Sequence, residues 1–209
     1  MFTKAKQWGY LTHDPTKGIE KFKDITRRRR FVRPEEFQRL MHELAPHLKP
    51  IIRAKLYLAL RTRNLLDLTW DQVDFERELI VIPETKNGEE LIQPMIQPLK
   101  ELLSDLPRRS AYVFCDQEGR SYKRIIKGFR AACKRAGIHN FRPHDIRRTF
   151  GTHLIANGYD INTLKELLGH KTLKMTLLYV QSLPEIKRQS MNVIGELFHA
   201  DDADRANGS

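Results

Sequence analysis

His144, Arg147 and Arg61 are the first candidates for chemistry, because each places nitrogen groups where an anion could bind. His144 and Arg147 stand three residues apart, so on a helix they lie on one face and can address a single group. Arg61 ends a mostly apolar stretch, and a guanidinium in such surroundings needs an anionic partner. That partner is either a bound anion or a carboxylate of the chain, for which Asp67 is the candidate.

Of three further candidates, His170 and Lys86 stand next to turn signals. Gly169 can end a helix, so that His170 projects just beyond it, and Tyr179 follows nine positions later. Lys86 directly precedes Asn87-Gly88, a dipeptide typical of hairpin turns, and a hairpin tip is exposed enough to reach into a groove. Taken singly, these residues are better explained as a capping histidine, a half-buried aromatic residue and a solubilising lysine.

The charge of the chain favours nucleic acid as its partner. The 209 residues include 37 Lys and Arg against 26 Asp and Glu, a net charge of +11. Residues 1–33 hold ten Lys or Arg and three acidic residues, whereas the segment from 196 onward is acidic. The run formed by Arg27, Arg28, Arg29 and Arg30 is interpreted as a linker that follows DNA phosphates, although a solvated connector without a partner would look the same.

Composition excludes several other classes of protein. Hydrophobic residues make up 40% of the chain, which is too many for a disordered protein. No apolar run approaches the ~20 residues that span a bilayer, so we expect no membrane partner. Cys115 and Cys133 are too few for a disulfide framework or, by themselves, for a zinc site. A soluble intracellular protein is expected.

The hydrophobic pattern predicts a mainly α domain with one small antiparallel β-sheet. A helix is expected from Pro34, a buried helix over 51–60 ending near Arg61, and strands over Leu79–Ile82 and Leu91–Ile96. Further helices are expected around Ile125–Cys133, from Pro143 to Asn157, from Asp160 to Leu168, after Thr172 and from Pro184.

Taken together and in chain order, the six candidates resemble the catalytic set of the tyrosine recombinase (phage integrase) family: Arg61, Lys86, His144, Arg147, His170 and Tyr179. In that family the second arginine stands in a His-x-x-Arg motif, and a Leu-Gly-His motif comes next. Here Leu168-Gly169-His170 places its histidine 23 positions after Arg147, and the nucleophilic tyrosine follows nine positions later.

The first arginine and the lysine also stand in segments that resemble the family. Ala59-Leu60-Arg61 leads into Leu68-Thr69-Trp70, and the lysine lies within Thr85-Lys86-Asn87-Gly88. Three positions differ from the usual pattern: Asn64 replaces an acidic residue, Arg148 replaces a histidine, and Val180-Gln181 replace a small residue and a histidine. None of these differences removes a catalytic group.

The resemblance implies the catalytic-domain fold of the family and a division of the chain into four parts. Residues 1–26 are interpreted as the remnant of the last helix of a core-binding domain, and 27–33 as the basic linker. Residues 34–198 would form the catalytic domain, and 199–209 an acidic disordered tail.

The implied reaction is a transesterification on double-stranded DNA that needs neither metal nor cofactor. Tyr179 would attack a backbone phosphorus and the 5′-hydroxyl would leave, giving a 3′-phosphotyrosyl bond. Arg61 and Arg147 would stabilise the negative charge of the transition state, and His170 would donate to a non-bridging oxygen.

His144 and Lys86 are the implied proton carriers. A phenol with a pKa of ~10 is mostly protonated near neutral pH, so Tyr179 needs a base, for which His144 is the candidate. The departing alkoxide needs a proton, and Lys86 is the candidate acid.

The family works as a homotetramer on two DNA duplexes, often by passing a C-terminal helix to a neighbour. The helix expected after Pro184 fits that exchange, and packing within its own chain is an equal alternative. Other interpretations of the whole chain are a type IB topoisomerase, a non-catalytic DNA-binding regulator and a basic RNA-binding module.

Overall fold

The computed structural model describes residues 2–13, 15–19, 30–83 and 89–180, and within them the predicted mainly α architecture with a small antiparallel sheet is confirmed. The helices are α1 (Phe2–Gln7), α2 (Pro34–Glu43), α3 (Leu48–Leu58), α4 (Thr62–Leu66), a 3-10 turn (Trp70–Gln72), α5 (Gln97–Ser104), α6 (Ile126–Arg135), α7 (Pro143–Ala156), α8 (Ile161–Leu167) and α9 (Leu173–Val180). The strands are β1 (Val73–Asp74), β2 (Leu79–Ile82) and β3 (Leu91–Pro94).

The sheet has the order β1-β2-β3, with both pairs antiparallel. On β2 the side chains of Ile80 and Ile82 are buried, as the period of two along a strand requires. The prediction that the second strand reaches Ile96 is wrong, because β3 ends at Pro94, which has no N–H to donate to the ladder. Strand β1 was not predicted, since two residues are too few to show a period.

Local signals mark the beginnings of several helices correctly. Helices α2 and α7 begin at Pro34 and Pro143, as predicted. The carboxylate of Asp160 caps α8 by accepting the backbone N–H groups of Asn162 and Thr163 at 2.8 and 2.9 Å. These contacts fix the beginning of α8.

Helix α3 differs from its prediction at both ends. It begins at Leu48 rather than 51 and ends at Leu58 rather than 60. Ala59 follows in the left-handed conformation, with φ +48° and ψ +21°, and this residue breaks the helix. Arg61 therefore stands before α4 rather than at the end of the buried helix.

Two clusters of buried apolar side chains hold the fold together. The larger cluster joins α2, α3, the sheet, α5 and α6. The smaller cluster, called here the α7–α9 cluster, consists of Ala59, Ile155, Leu164, Leu168 and Tyr179. The candidate nucleophile thus belongs to the smaller cluster, which ties the turn after α3 to the last three described helices.

Most of the described residues among 2–13 and 15–19 are exposed. Helix α1 has no buried residue, and Trp8 and Tyr10 expose 66% and 80% of their surface.

The predictions for Arg27–Arg29, for the hairpin with Lys86, for the helix from Pro184 and for the tail lie outside the described residues. Within the part of the chain that is described, no helix is long and apolar enough to cross a bilayer.

Candidate active site

Arg147 lies on the inner face of α7 and is only 3% exposed. Its Nη1 donates a hydrogen bond to the carbonyl of Ala59 at 2.8 Å, and its Nη2 donates to the carbonyl of Leu168. Both acceptors are neutral, so they fix the orientation of the guanidinium without cancelling its charge. Burial lowers the pKa of Arg147 to about 10, which leaves the side chain protonated at neutral pH.

Arg61 contributes a second guanidinium to the same region. It is half-buried at the N-terminus of α4, and its charge acts on both Arg147 and His170, whose pKa values it lowers. Asp67, the carboxylate considered as one alternative, pairs with Arg63, and no ion pair of Arg61 occurs among the residues that the structure describes. Two cations that lack a carboxylate partner here form a natural site for an anion.

His170 is placed by the turn that ends α8. Gly169 adopts φ +55°, a left-handed conformation that favours glycine and that confirms the predicted helix stop. The ring of His170 is 9% exposed, and its Nδ1 lies 3.0 Å from the hydroxyl oxygen of Thr176. Burial, with the charges of Arg147 and Arg61, lowers the pKa of His170 to about 4, so the imidazole is neutral at pH 7.

His144 stands at the exposed N-terminal end of α7, one turn before Arg147. Desolvation lowers its pKa, and the nearby charges of Lys55 and Arg147 lower it further. A neutral imidazole at neutral pH can accept a proton, as a general base must.

Tyr179 is 8% exposed on α9, and its ring stacks on that of His170 with centroids 6.0 Å apart. Burial raises the pKa of the phenol, whereas the charges of Arg147 and Arg148 and a hydrogen bond with Arg147 lower it. A Cβ atom at Gly151 of α7 would lie 2.7 Å from the Tyr179 ring, so only glycine leaves room for the ring in this position.

The structure therefore brings five of the six predicted residues into one region, while Lys86 lies outside the described residues. Of the basic run, Arg30 is described, and it pairs with Glu36 and donates from Nη1 to the carbonyl of Phe31 at 2.9 Å. Among the residues that the structure describes, no group of three His, Cys, Asp or Glu side chains is placed to hold a metal ion.

Three residues around the site were not identified from the sequence. Gly151 in mid-helix, where glycine is unfavourable, was an available signal for close packing. Lys55 interrupts the apolar stretch of α3, which was a second signal. Thr176 has no such signal, because only the fold brings its hydroxyl to His170.

Comparison with known proteins matches most of the chain to one family. The family model described as "Phage integrase family" matches residues 30–185. The tyrosine recombinase XerA of Thermococcus onnurineus is 30% identical over 168 residues, which cover 75% of this chain and 59% of XerA.

Two solved structures share the fold. The catalytic domain of bacteriophage HP1 integrase superposes with a TM-score of 0.60 at 28% identity and covers 78% of this chain and 93% of that one. A lambda integrase dimer bound to a COC′ core site gives a TM-score of 0.70 at 17% identity, covering 88% and 57% of the two chains, and it supports the fold alone.

The chain spans 44–65% of the length of the curated relatives that it matches. The family match nevertheless extends over well more than half of the chain, and all six candidate residues lie within the matched range. By sequence and by fold, the chain belongs to the phage integrase family.

Proposed function

We propose that this chain carries the catalytic part of a site-specific DNA recombinase, which cuts and rejoins DNA strands through a bond to Tyr179. One observation carries the proposal. The Tyr179 hydroxyl lies beside Arg147, whose guanidinium is held by two carbonyls. Arg61 is close enough for its charge to lower the pKa of Arg147. A phenol and two unneutralised guanidiniums in one place suit attack on a phosphodiester.

The chemical step is an exchange of one phosphodiester for another. The Tyr179 oxygen bonds to a backbone phosphorus while the bond from phosphorus to the 5′-oxygen breaks. The phenol loses its proton to a base, and the 5′-oxygen gains one from an acid. A 5′-hydroxyl from a second strand then reverses the step, so the energy of the phosphodiester bond is kept and no external energy source is needed.

Arg61 and Arg147 stabilise the transition state, in which extra negative charge develops on the non-bridging oxygens of the phosphate. Arg147 is already oriented by Ala59 and Leu168, so its alignment costs little when the substrate arrives. Loss of one such donor typically costs about 3 kcal/mol in the barrier, or a factor of roughly 100 in rate.

The two histidines take different parts. His170, neutral because of its burial beside two arginines, donates one N–H to a non-bridging oxygen. His144, exposed and with a lowered pKa, accepts the proton of Tyr179 as it attacks. Lys86 is proposed as the acid that protonates the 5′-oxygen, on the strength of its motif.

Double-stranded DNA is the proposed substrate, in keeping with the net charge of +11. The proposal extends to the linker Arg27–Arg30 as a phosphate contact, to residues 34–198 as the catalytic domain and to a homotetramer on two duplexes in the full-length enzyme. A type IB topoisomerase would use the same chemistry without a specific site.

The test uses a randomised pool of nicked DNA duplexes. After cleavage a short fragment that carries the 5′-hydroxyl diffuses away. The strand cannot then be rejoined, so the covalent intermediate accumulates. Adducts are isolated under denaturing conditions and their DNA is sequenced. We expect the wild-type chain to give adducts at one recurring sequence, and Tyr179→Phe to give none while still binding DNA.

Tyr159→Phe is the matched control, because Tyr159 is 57% exposed and lies outside the site. It should form adducts as the wild type does. An adduct that survives in Tyr179→Phe would place the nucleophile elsewhere. Adducts spread over all sequences would favour the topoisomerase.

A further inference from the structure

Lys55 is a fully buried lysine that the proposed mechanism does not use. It lies on α3 with no exposed surface, and its Nζ donates a hydrogen bond to the carbonyl of Leu60 at 2.8 Å. No carboxylate partner of Lys55 occurs among the described residues, and the charged group that acts on it is Arg147, another cation.

Such a residue is costly in a helix that otherwise buries leucine, isoleucine and alanine at this face. Burial and the charge of Arg147 lower the pKa of Lys55 to about 7, so a large share of the side chain is neutral at physiological pH. A neutral amine retains two N–H donors, so its hydrogen bond to Leu60 does not depend on the charge.

The acceptor of that hydrogen bond belongs to the turn that places both arginines. Ala59 adopts a left-handed conformation that costs an alanine roughly 1–2 kcal/mol, so other contacts must hold it. The carbonyl of Ala59 accepts from Arg147, and the carbonyl of Leu60, the next residue, accepts from Lys55. Arg61 follows immediately and begins the connection to α4.

We infer that Lys55 is a positioning residue, which holds the Ala59-Leu60 turn so that Arg61 and Arg147 face the same phosphate. The inference rests on the proposed recombinase function. It assigns Lys55 no contact with DNA and no proton transfer. Its effect passes through the two guanidiniums, and it therefore depends on the charge of the phosphate that they stabilise.

That dependence can be tested, because a purely structural role of Lys55 would slow cleavage equally whether or not the phosphate is charged. Lys55→Met removes the donor but retains the length and apolar stem of the side chain. Its cleavage rate is measured in single turnover on an ordinary nicked duplex and on one with a methylphosphonate at the cut site. The methylphosphonate replaces one non-bridging oxygen by a methyl group and so removes the charge that the arginines act on.

We expect Lys55→Met to cleave the ordinary phosphate about 10- to 100-fold more slowly, as for partial loss of an oriented donor, and the methylphosphonate within about threefold of the wild type. DNA affinity should be unchanged. Arg53→Met is the control, since Arg53 is an exposed cation on the same helix, and it should match the wild type on both substrates.

Equal slowing on both substrates, or no slowing on either, would overturn the inference. If Lys55→Met fails to fold, Lys55→Leu gives the same comparison with a shorter apolar side chain that also lacks a donor. An absence of adducts in the wild type would instead refute the proposed function. Wild-type adducts with no selective effect at Lys55 would refute this inference alone.

Discussion

The larger apolar cluster and the region around the candidate site differ in what they bury. The larger cluster around α2, α6 and the sheet consists of apolar side chains. Buried polar or charged side chains among the described residues are Lys55, Gln93, Arg147, Thr149, Thr152, His170 and Thr176, and all except Gln93 belong to α3, α7, α9 or the turn before α9. One region therefore serves stability, and the other keeps charge out of water at an energetic cost.

The region around the candidate site has the charge and orientation that suit an anion. Around α7 and the turn after α3, the buried cations bond to carbonyls rather than to carboxylates, as Arg147 does with Ala59 and Leu168 and Lys55 does with Leu60. Their charge is oriented but not neutralised. A phosphate bound beside these cations would supply the missing negative charge and so offset the cost of burying them.

The largest effect on stability is expected in the apolar cluster. Phe129 is fully buried and its ring lies 5.7 Å from that of Phe141. Phe129→Ala should lower the free energy of unfolding by about 3–5 kcal/mol, measured by urea denaturation, because it leaves a large cavity. Cleavage per folded molecule should not change. A variant that remains folded but has lost cleavage would break the proposed division between the two regions.

The reverse is expected at Arg61. Arg61→Gln removes one of two neighbouring like charges, so the free energy of unfolding should stay constant or rise. Cleavage in single turnover should fall about 100-fold, or ~3 kcal/mol in the barrier. Arg63→Gln is the control two residues away, where an exposed pair with Asp67 is lost, and it should cleave normally. Similar cleavage by both variants would contradict the role of Arg61.

A smaller effect should appear in the pH dependence of stability. Because the pKa of His170 is about 4 in the folded protein and near 6.5 in an unfolded chain, protonation favours unfolding. Its contribution is fully present above pH 6.5 and is lost as the pH falls toward 4, amounting to about 2–3 kcal/mol. The free energy of unfolding of His170→Asn should fall less over this range. Parallel curves for the two proteins would show that His170 is not held neutral by its surroundings.

The sequence predicted those parts of the fold that depend on local chemistry. Asp160 caps α8 and Gly169 ends it, because a side-chain acceptor and a glycine act within a few residues. The end of α3 was placed wrongly, because an alanine rather than a glycine adopts the left-handed conformation at 59 and gives no local signal.

The candidate site was predictable in part for the same reason. The order and spacing of six residues were enough to select them, and five lie together in the fold. A lysine in an apolar stretch and a glycine in mid-helix mark Lys55 and Gly151 as unusual, but the full burial of Lys55 and the contact between Gly151 and Tyr179 appear only in the folded chain. The sequence does not predict that the carbonyls of Ala59 and Leu168 hold Arg147, since every residue has a backbone carbonyl.

The most direct test of the central claim identifies the residue that carries the DNA. The trapped adduct is digested with nuclease and trypsin, and the modified peptide is sequenced by mass spectrometry. The tryptic peptide 175–187 contains Tyr179 as its single tyrosine. We predict that this peptide carries the 3′-phosphate of a nucleotide on Tyr179. A nucleotide attached to any other residue, or attached through its 5′-phosphate, would contradict the account.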